Sequence, residues 1–537
     1  MTQLTRKFWG WGYEEVKLPE AHLQKFTQLL QLTLGIKQFE TIAPPSLESL
    51  NLRVPRFALP AELQPICSSS PYDRASHSFG KSYRDIWRGL YGQFDNPPDY
   101  VAFPSTEDQI QQILAFAQAE KIAVIPFGGG SSVVGGVEPT QHRRYKGVIS
   151  LDMKNFNQML AIDKLSRTAH IQAGMYGPAI ETALKKEGLT LRHYPQSFEF
   201  STLGGWIVTR SGGHFATLFT HIEEFVEAIR VVTPQGIMET RRLPGSGAGP
   251  SEERLLAGSE GIFGVVTAAW VRVQDLPQYK ATTTVKFKKF SEAVEAALQI
   301  AQSGLHPSNA RLVDPLEAFG NGLGDGTHTV IILGFESAHF PVEDNLQKAL
   351  SICKVLGGVF EANQPTPEKT QPDESADAWK KSFLLAPYLR DEMMQRGIIV
   401  ETFETAITWD KFEVFHQGVN QAVKKAIQQH CGAGSITCRF THLYPDGPAP
   451  YYTVFAKGEK GKELAQWDAI KAAASQAIVA LGGTITHHHA VGKDHQPYYA
   501  QQQSALFGQI LTSVKQSLDP AWILNPDVLI NIPPQVQ

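Results

Sequence analysis

The sequence predicts an α+β protein with more than one core, and three observations carry that expectation. Between residues 101 and 275, stretches with helical apolar spacing alternate with short β-branched runs. Thr233-Pro234-Gln235-Gly236 has the form of a tight turn joining two strands. The chain is 537 residues long, and a chain of this size holds roughly two or three domains.

Residues 1–95 form a mixed segment, with a helical pattern near 21–34 followed by a proline-rich stretch that includes Pro44-Pro45 and Pro55. Pro97-Pro98 marks the boundary to a second segment, 96–275. There Thr106-Glu107-Asp108-Gln109 reads as a capping box, after which Ile110, Ile113, Leu114 and Ala117 share one helix face. Residues 121–125 read as the strand that follows, with further strands at 147–151, 168–173 and 225–232 and a helix opening at Pro178 with Ile180, Ala183 and Leu184 on one face. A third segment, 276–480, opens near Thr282 and carries a polar, proline-rich loop over 363–375. The last, 481–537, ends in a helix and the tail Asp519-Pro520-Ala521-Trp522-Ile523-Leu524-Asn525-Pro526.

A net charge of −4 with 19% charged residues describes an ordinary globular surface and leaves no footprint for nucleic acid. Arg143-Arg144 and Arg241-Arg242 are isolated pairs, read as solvated. Cys67, Cys353, Cys431 and Cys438 are scattered without a CxxC, which argues against a disulfide framework or a zinc ribbon and fits a reducing compartment. There is no apolar leader pattern, no uninterrupted stretch of bilayer length and no Ser-Lys-Leu at the C-terminus, so a cytoplasmic protein is expected.

Pro126-Phe127-Gly128-Gly129-Gly130-Ser131-Ser132-Val133-Val134-Gly135-Gly136 is the most informative run. Directly behind an apolar strand, its glycines allow positive φ and close approach of a ligand to the main chain, and successive N–H groups in such a turn converge on an anion. It is neither a Walker A loop nor a GxGxxG, so a mononucleotide P-loop and a Rossmann site both lose weight. Taken alone it is equally a glycine-rich surface turn.

Four ordered blocks resemble the FAD-binding oxidoreductases of the vanillyl-alcohol oxidase type: the glycine run, the stretch from Pro195 to Gly213, the stretch from Gly258 to Val273, and the DPAWILNP tail. The resemblance implies an FAD-binding domain of that type beside an α+β substrate (cap) domain. It places the FAD along Pro126, Phe127, Gly128, Gly129, Gly130, Ser131 and Ser132; along Gln196, Ser197, Phe198, Glu199, Phe200, Ser201, Thr202, Thr209, Arg210, Ser211 and Gly212; and along Glu260, Gly261, Ile262, Phe263, Gly264, Val265 and Val266. The hydroxyls of Ser201, Thr202, Thr209 and Ser211 agree physically with such a role. None of the blocks holds a histidine or cysteine where covalent relatives attach the flavin, so non-covalent FAD is expected.

Within that family the chain resembles the redox-neutral alkylglycerone-phosphate synthase branch. Lys7-Phe8-Trp9-Gly10-Trp11-Gly12-Tyr13 is similar to its Trp-Gly-Trp-Gly-Tyr signature, and Ala386-Pro387-Tyr388-Leu389-Arg390-Asp391 carries its substrate-binding arginine to Arg390. Thr441-His442-Leu443-Tyr444 with Gly447 leads to its proton-transferring tyrosine at Tyr451. Its triple-histidine loop falls on His487-His488-His489, running on to Ala490, Val491, Gly492 and Lys493, which joins the substrate-binding set, and Ser308-Asn309-Ala310-Arg311-Leu312 adds Arg311. The implied reaction exchanges the acyl chain of acyl-dihydroxyacetone phosphate for a fatty alcohol through an adduct at flavin N5, with no net redox change. A guanidinium offers a bidentate fork to phosphate, which suits Arg390. Tyr451 serves as the base if its pKa is brought down, and the histidines pair with phosphate or relay protons. The implied partners are a lipid-like phosphorylated ketone and a fatty alcohol, with a homodimer and a peripheral membrane contact for lipid uptake.

Plainer readings stand beside these. Tyr451 is otherwise a core aromatic beside Tyr452, Arg390 a solvated charge, and Arg311 the partner of a carboxylate such as Glu336. If residues 484–489 are a strand end, His487 and His489 share a face and suit a metal, although no third ligand stands at a recognisable spacing and none is expected. Departures from the synthase pattern are Pro448 and Pro450 before Tyr451, Ala490 in place of a glycine, and a tail closer to the oxidases. The alternative functions are an FAD-linked D-2-hydroxy acid dehydrogenase or oxidase, with Arg390 clamping a carboxylate and His488 or His489 as base, and a non-catalytic sensor.

Overall fold

The helix expected behind Thr106 forms as Glu107–Glu120, and Ile110, Ile113, Leu114 and Ala117 are all buried. Thr106 accepts the Gln109 N–H at 3.3 Å, but the Gln109 side chain returns to the Ser105 N–H at 2.7 Å, so the reciprocal bond closes one residue early. Lys121 ends this helix in the left-handed region, φ 54°, and does not open the strand as expected. Asp and Asn are commoner there, and the position restricts any larger side chain.

The computed structural model describes residues 4–36, 38–360 and 374–533, so most of the polar stretch 363–375 lies outside the described residues. The strands are β1 (Cys67–Ser68), β2 (Tyr100–Ala102), β3 (Ile122–Phe127), β4 (Gly147–Asp152), β5 (Met159–Asp163), β6 (Thr168–Gln172), β7 (Leu189–Thr190), β8 (Val226–Thr233), β9 (Gly236–Glu239), β10 (Val265–Arg272), β11 (Gln274–Asp275), β12 (Tyr279–Phe287), β13 (Asn309–Val313), β14 (Thr329–Ser337), β15 (Ile398–Glu404), β16 (Gly434–Leu443) and β17 (Pro448–Lys457). One sheet has the order β1-β2-β4-β3, with β2 and β3 parallel to β4. A second, antiparallel, runs β5-β6-β10-β8-β9, and the turn at Thr233–Gly236 joins β8 to β9 with Gly236 at φ 131°. The largest is antiparallel with the order β12-β14-β13-β16-β17-β15.

Both ends of the chain fold back. Phe8, Trp9, Trp11 and Ile86 share one core with Leu312, Leu333 and Val454 of the largest sheet, while Trp522, Val528 and Ile532 share another with Ile171, Ile229 and Val271. The tail lies along β3: the Val124 N–H donates to Ile523 O at 2.8 Å and the Asn525 N–H to Val124 O at 2.9 Å. Asn525 Nδ2 then holds the carbonyls of Gly136 (3.0 Å) and Glu260 (2.7 Å), behind the glycine run. Among the described residues no helix is long and apolar enough to cross a membrane.

Lys515, on the helix Ala505–Leu518, fixes this tail. Its fully buried Nζ donates to Asp519 Oδ2 (2.6 Å) and to the carbonyls of Ile262 and Leu524 (both 2.7 Å). Lys515→Met leaves the Asp519 carboxylate buried without its cation, and urea unfolding is expected to show a loss of about 3–5 kcal/mol. A loss below about 1 kcal/mol, the size of an exposed pair, contradicts the assignment.

Candidate active site

The glycine run leaves β3 and its conformation leaves no room for side chains. A Cβ on Gly129 would overlap the Phe200 carbonyl, and one on Gly130, at φ 67°, would overlap the Phe127 ring. Among the described residues no acceptor meets the N–H of Gly129, Gly130 or Ser131. All three residues line the cavity beside Ser201, Thr202 and Thr209. A pyrophosphate fits such a cradle, so the residues present suit the expected FAD.

The opposite wall is the face of the largest sheet. Side chains two apart on a strand share a face, and register turns three strands into rows across it: Glu404–Tyr451–Arg439, then Thr402–Thr453–Thr437, then Val400–Phe455–Ser435. The first row is charged, the second hydroxylic, and the third opens into Leu30, Leu389 and Met393. Pro450 is accommodated where the ladder is already broken, opposite Phe440 at the bulge between Phe440 and His442, and Pro448 is the first residue of β17.

Tyr451 faces the cavity, and Tyr452, on the other face, stacks on Phe403, so the two do not form a core pair. Arg439 lies over the Tyr451 ring at 3.9 Å and donates to Glu317 at 2.7 Å. Burial raises the Tyr451 pKa, with Arg439, a Thr402 hydrogen bond and Arg390 working against it. The lowered pKa asked of a base is therefore absent in this state, and the phenol is protonated.

Residues 484–489 form a loop and not a strand end, so His487 and His489 do not share a strand face. The loop is wrapped around Glu404. That carboxylate accepts the main-chain N–H groups of His487, His488 (3.1 Å) and His489 (2.8 Å) and the Thr486 hydroxyl (2.6 Å). Its two oxygens also lie 3.6 Å from Nδ1 of His488 and of His489. Burial alone would raise the Glu404 pKa; these hydrogen bonds, and the neighbouring histidines, which take up protons before it does as pH falls, hold it well below the carboxylate range. Burial lowers the pKa of all three histidines and keeps them neutral. Ala490 sits at φ 72°, a conformation glycine adopts freely and alanine does not.

His442, His487 and His488 bring ring nitrogens within 4.8 Å of one another. Each is already engaged: His442 Nε2 lies 3.0 Å from Gly213 O, and His487 bridges Tyr444 and His488.

One cavity gathers residues 126–132, Gln196, Ser197, Ser201, Thr202, Thr209, Ser211, Gly212, Glu260, Gly261, Gly264, Val265 and Val266 with Arg311, Arg390, Tyr451, His488 and His489. Other expected residues have partners elsewhere. Phe198 stacks on Trp206, Phe200 packs on Trp11 and Tyr388, and Ile262 and Phe263 lie in the core. Glu199 is exposed and Arg210 pairs with Glu223. Lys493 Nζ donates to Glu138 O at 2.9 Å, and His487 stands behind His488.

Arg390 is not a solvated charge. Its side chain is 11% exposed, it lies 3.7 Å from Glu401, and its Nε finds no partner among the described residues. Arg311 does not pair with Glu336, which faces Arg192 and Lys280; it donates to His214 O and meets His214 Nδ1, both at 3.0 Å, and burial, then Arg439, pushes its pKa down to about 9. The Trp-Gly-Trp-Gly-Tyr strap explains itself here. Asp391 accepts the Trp11 N–H at 2.8 Å and Lys7 Nζ at 3.2 Å, and any Cβ on Gly10 or Gly12 would run into Asp391 or Tyr388. Sequence reasoning missed Glu404 and Arg439, because only strand register brings them to Tyr451, and Glu317, which reaches Arg439 from the helix Pro315–Gly320.

Comparison with known proteins gives matches along most of the chain. The FAD binding domain family matches residues 98–241, and the family of FAD linked oxidases, C-terminal domain, matches 276–529. The alkyldihydroxyacetonephosphate synthase of Trypanosoma brucei brucei is 31% identical over 86% of this chain and 78% of its own length. That of Dictyostelium discoideum is 29% identical over 97% and 87%. A solved structure of an alkyldihydroxyacetonephosphate synthase superposes with a TM-score of 0.80 at 26% identity, covering 97% of this chain and 98% of its own. The glycolate oxidase subunit GlcD of Bacillus subtilis is more distant, 26% identical over 81% of this chain and 89% of its own length.

Glu404→Gln is expected to cost about 2–4 kcal/mol, because an amide brings donors against three N–H groups and loses its charge. The folded pKa lies below the ordinary 4.5. The stabilisation is therefore whole above about pH 5 and fades as pH falls towards the folded value, and urea unfolding of both forms across that range checks it. An equal difference at about pH 3 and pH 7 removes the carboxylate from this role.

Proposed function

The chain belongs to the alkyldihydroxyacetonephosphate synthase family, and from that premise we propose that it is an FAD-dependent synthase exchanging the acyl chain of acyl-dihydroxyacetone phosphate for a fatty alcohol, with release of the fatty acid. The observation that carries the proposal is the continuity of one cavity from the glycine run, past Arg390 and Tyr451, to an aliphatic end. A hydroxy-acid oxidase has no use for that end. Phe455 lies four residues beyond Tyr451, about 13 Å along the strand, which is the scale of a fatty chain and not of lactate.

FAD, when bound along the glycine run, supplies the electrophile of the exchange. The buried Nε of Arg390 is a donor that a phosphate oxygen satisfies, and the guanidinium supplies the fork. Arg311 adds a second buried cation on the same wall. Tyr451 holds its phenolic proton until the ketone is in place, and His488, whose ring lies 6.0 Å away and near parallel, stands beside it to take or return a proton. Arg439 over the phenol ring stabilises the phenolate when it forms. The rows beyond exclude water from the chain.

Four free cysteines support a cytoplasmic location. A homodimer and a peripheral lipid contact belong to the same proposal, the second supported by Leu506, Phe507 and Ile510, all exposed near the start of the helix Ala505–Leu518. Light scattering and co-sedimentation with phospholipid vesicles test these.

Incubation with acyl-dihydroxyacetone phosphate and a labelled fatty alcohol is expected to give a labelled ether and free fatty acid. No ether, together with anaerobic bleaching of the flavin by D-lactate or glycolate, assigns the chain to the oxidoreductases. Arg390→Ala is expected to raise KM for the phosphorylated ketone roughly ten- to hundredfold, about 1.5–3 kcal/mol, with FAD content unchanged and Arg390→Lys recovering only part. Gly129→Val is expected to abolish FAD retention, which absorbance at the flavin band measures. FAD is expected to leave the wild type on acid precipitation, and flavin that stays with the protein contradicts non-covalent binding.

A further inference from the structure

His488 lies on the cavity wall, yet its hydrogen bonding does not stop there. Its Nδ1 lies 3.1 Å from Nδ1 of His487. His487 Nε2 is 2.7 Å from the Tyr444 hydroxyl, which is 3.0 Å from Thr220 Oγ1, and Thr220 donates to Glu224 Oε2 at 3.3 Å. Glu224 is half-exposed. Neither Tyr444, Thr220 nor Glu224 lines the cavity.

We propose that His487, Tyr444, Thr220 and Glu224 form a proton relay joining His488 to solvent, which removes and returns the proton exchanged at the carbon beside the substrate ketone. This rests on the function proposed above. Every interior member is both donor and acceptor: a neutral imidazole presents one N–H and one lone pair, and a hydroxyl presents both. Burial keeps His487 and His488 neutral and the Tyr444 phenol protonated, so no fixed charge blocks the path. A proton entering at His488 makes one N–H bond, and at each later member one N–H or O–H bond forms as another breaks. The proton leaves from Glu224 to water, no electrons change hands, and rotation of the hydroxyls with tautomer exchange of the imidazoles resets the chain.

The spacing is held from both sides. Glu404 fixes the main chain of His487 and His488, and its oxygen at 3.6 Å from His488 Nδ1 favours that ring while it carries the extra proton. His221 holds the other flank, its Nε2 3.0 Å from His487 O and its Nδ1 3.1 Å from Thr220 Oγ1. Tyr444 and Thr220 come from different halves of the fold, one at the end of β16 and one ahead of β8. The relay therefore exists only once both halves have docked.

The test is hydrogen exchange in D2O at the substrate carbon, followed by mass spectrometry in the FAD-loaded enzyme, beside ether formation. Tyr444→Phe keeps the ring and removes the hydroxyl. Exchange and kcat are expected to fall about tenfold or more, with KM for acyl-dihydroxyacetone phosphate within about twofold of the wild type. Thr220→Val is expected to act in the same direction and Thr220→Ser to restore exchange, a pair that still decides the matter if Tyr444→Phe loses its flavin. Wild-type exchange and turnover in both Tyr444→Phe and Thr220→Val overturn the relay and leave the proposed function standing. A wild type that forms no ether and exchanges no hydrogen overturns both.

Discussion

The arrangement depends on what one buried carboxylate does with the main chain. Residues 487–489 are neither helix nor strand, and their three consecutive N–H groups point at one oxygen pair, so Glu404 dictates their path. Glu260 completes the grip from the other side by accepting the N–H groups of Val491 and Gly492, at 2.9 and 2.8 Å. One carboxylate stands on the largest sheet and the other beside the glycine run. Burial pushes the Glu260 pKa up to about 7 against those two hydrogen bonds, whereas Glu404, with histidines around it, stays ionised. The histidine loop is thus the clasp between the two walls of the cavity, and the positions of His488, His489 and the space before Tyr451 follow from it.

Much of the fold was legible because local chemistry expresses it. The capped helix at Thr106, the turn at Thr233 and the glycine run each follow from residues within a few positions of one another. Lys121 was misread because an apolar strand begins at the next residue, and nothing local marks the left-handed end of a helix that lacks glycine there. The histidine loop was a candidate strand because alternation is all that a sequence displays. Its N–H groups go to a carboxylate more than eighty residues away, and no spacing announces that.

The candidate site was legible in part for the same reason. Tyr451, Arg390 and the histidines lie in runs with a pattern of their own. Arg439 and Glu317 do not, although Arg439 lies over the tyrosine ring and Glu317 holds Arg439 in place. Arg439 matters through register, which is a property of three strands at once, and Glu317 through the helix Pro315–Gly320 that follows β13. The N-terminal strap is the converse: its glycines stand out in the sequence, but their reason, the close passage of the main chain over Asp391 and Tyr388, appears only in the fold.

The crossing of the two chain ends bears on how the molecule is made. The core around the glycine run includes Trp522, Leu529 and Ile532, so it cannot close until the tail has been synthesised. Before that, every strand of the largest sheet has been made, as have Trp9 and Trp11, which share its core in the finished fold. The strands of the largest sheet are therefore all made while the core around the glycine run still has an open apolar face. The glycine run is backed by the tail through Asn525, so its cradle is finished last.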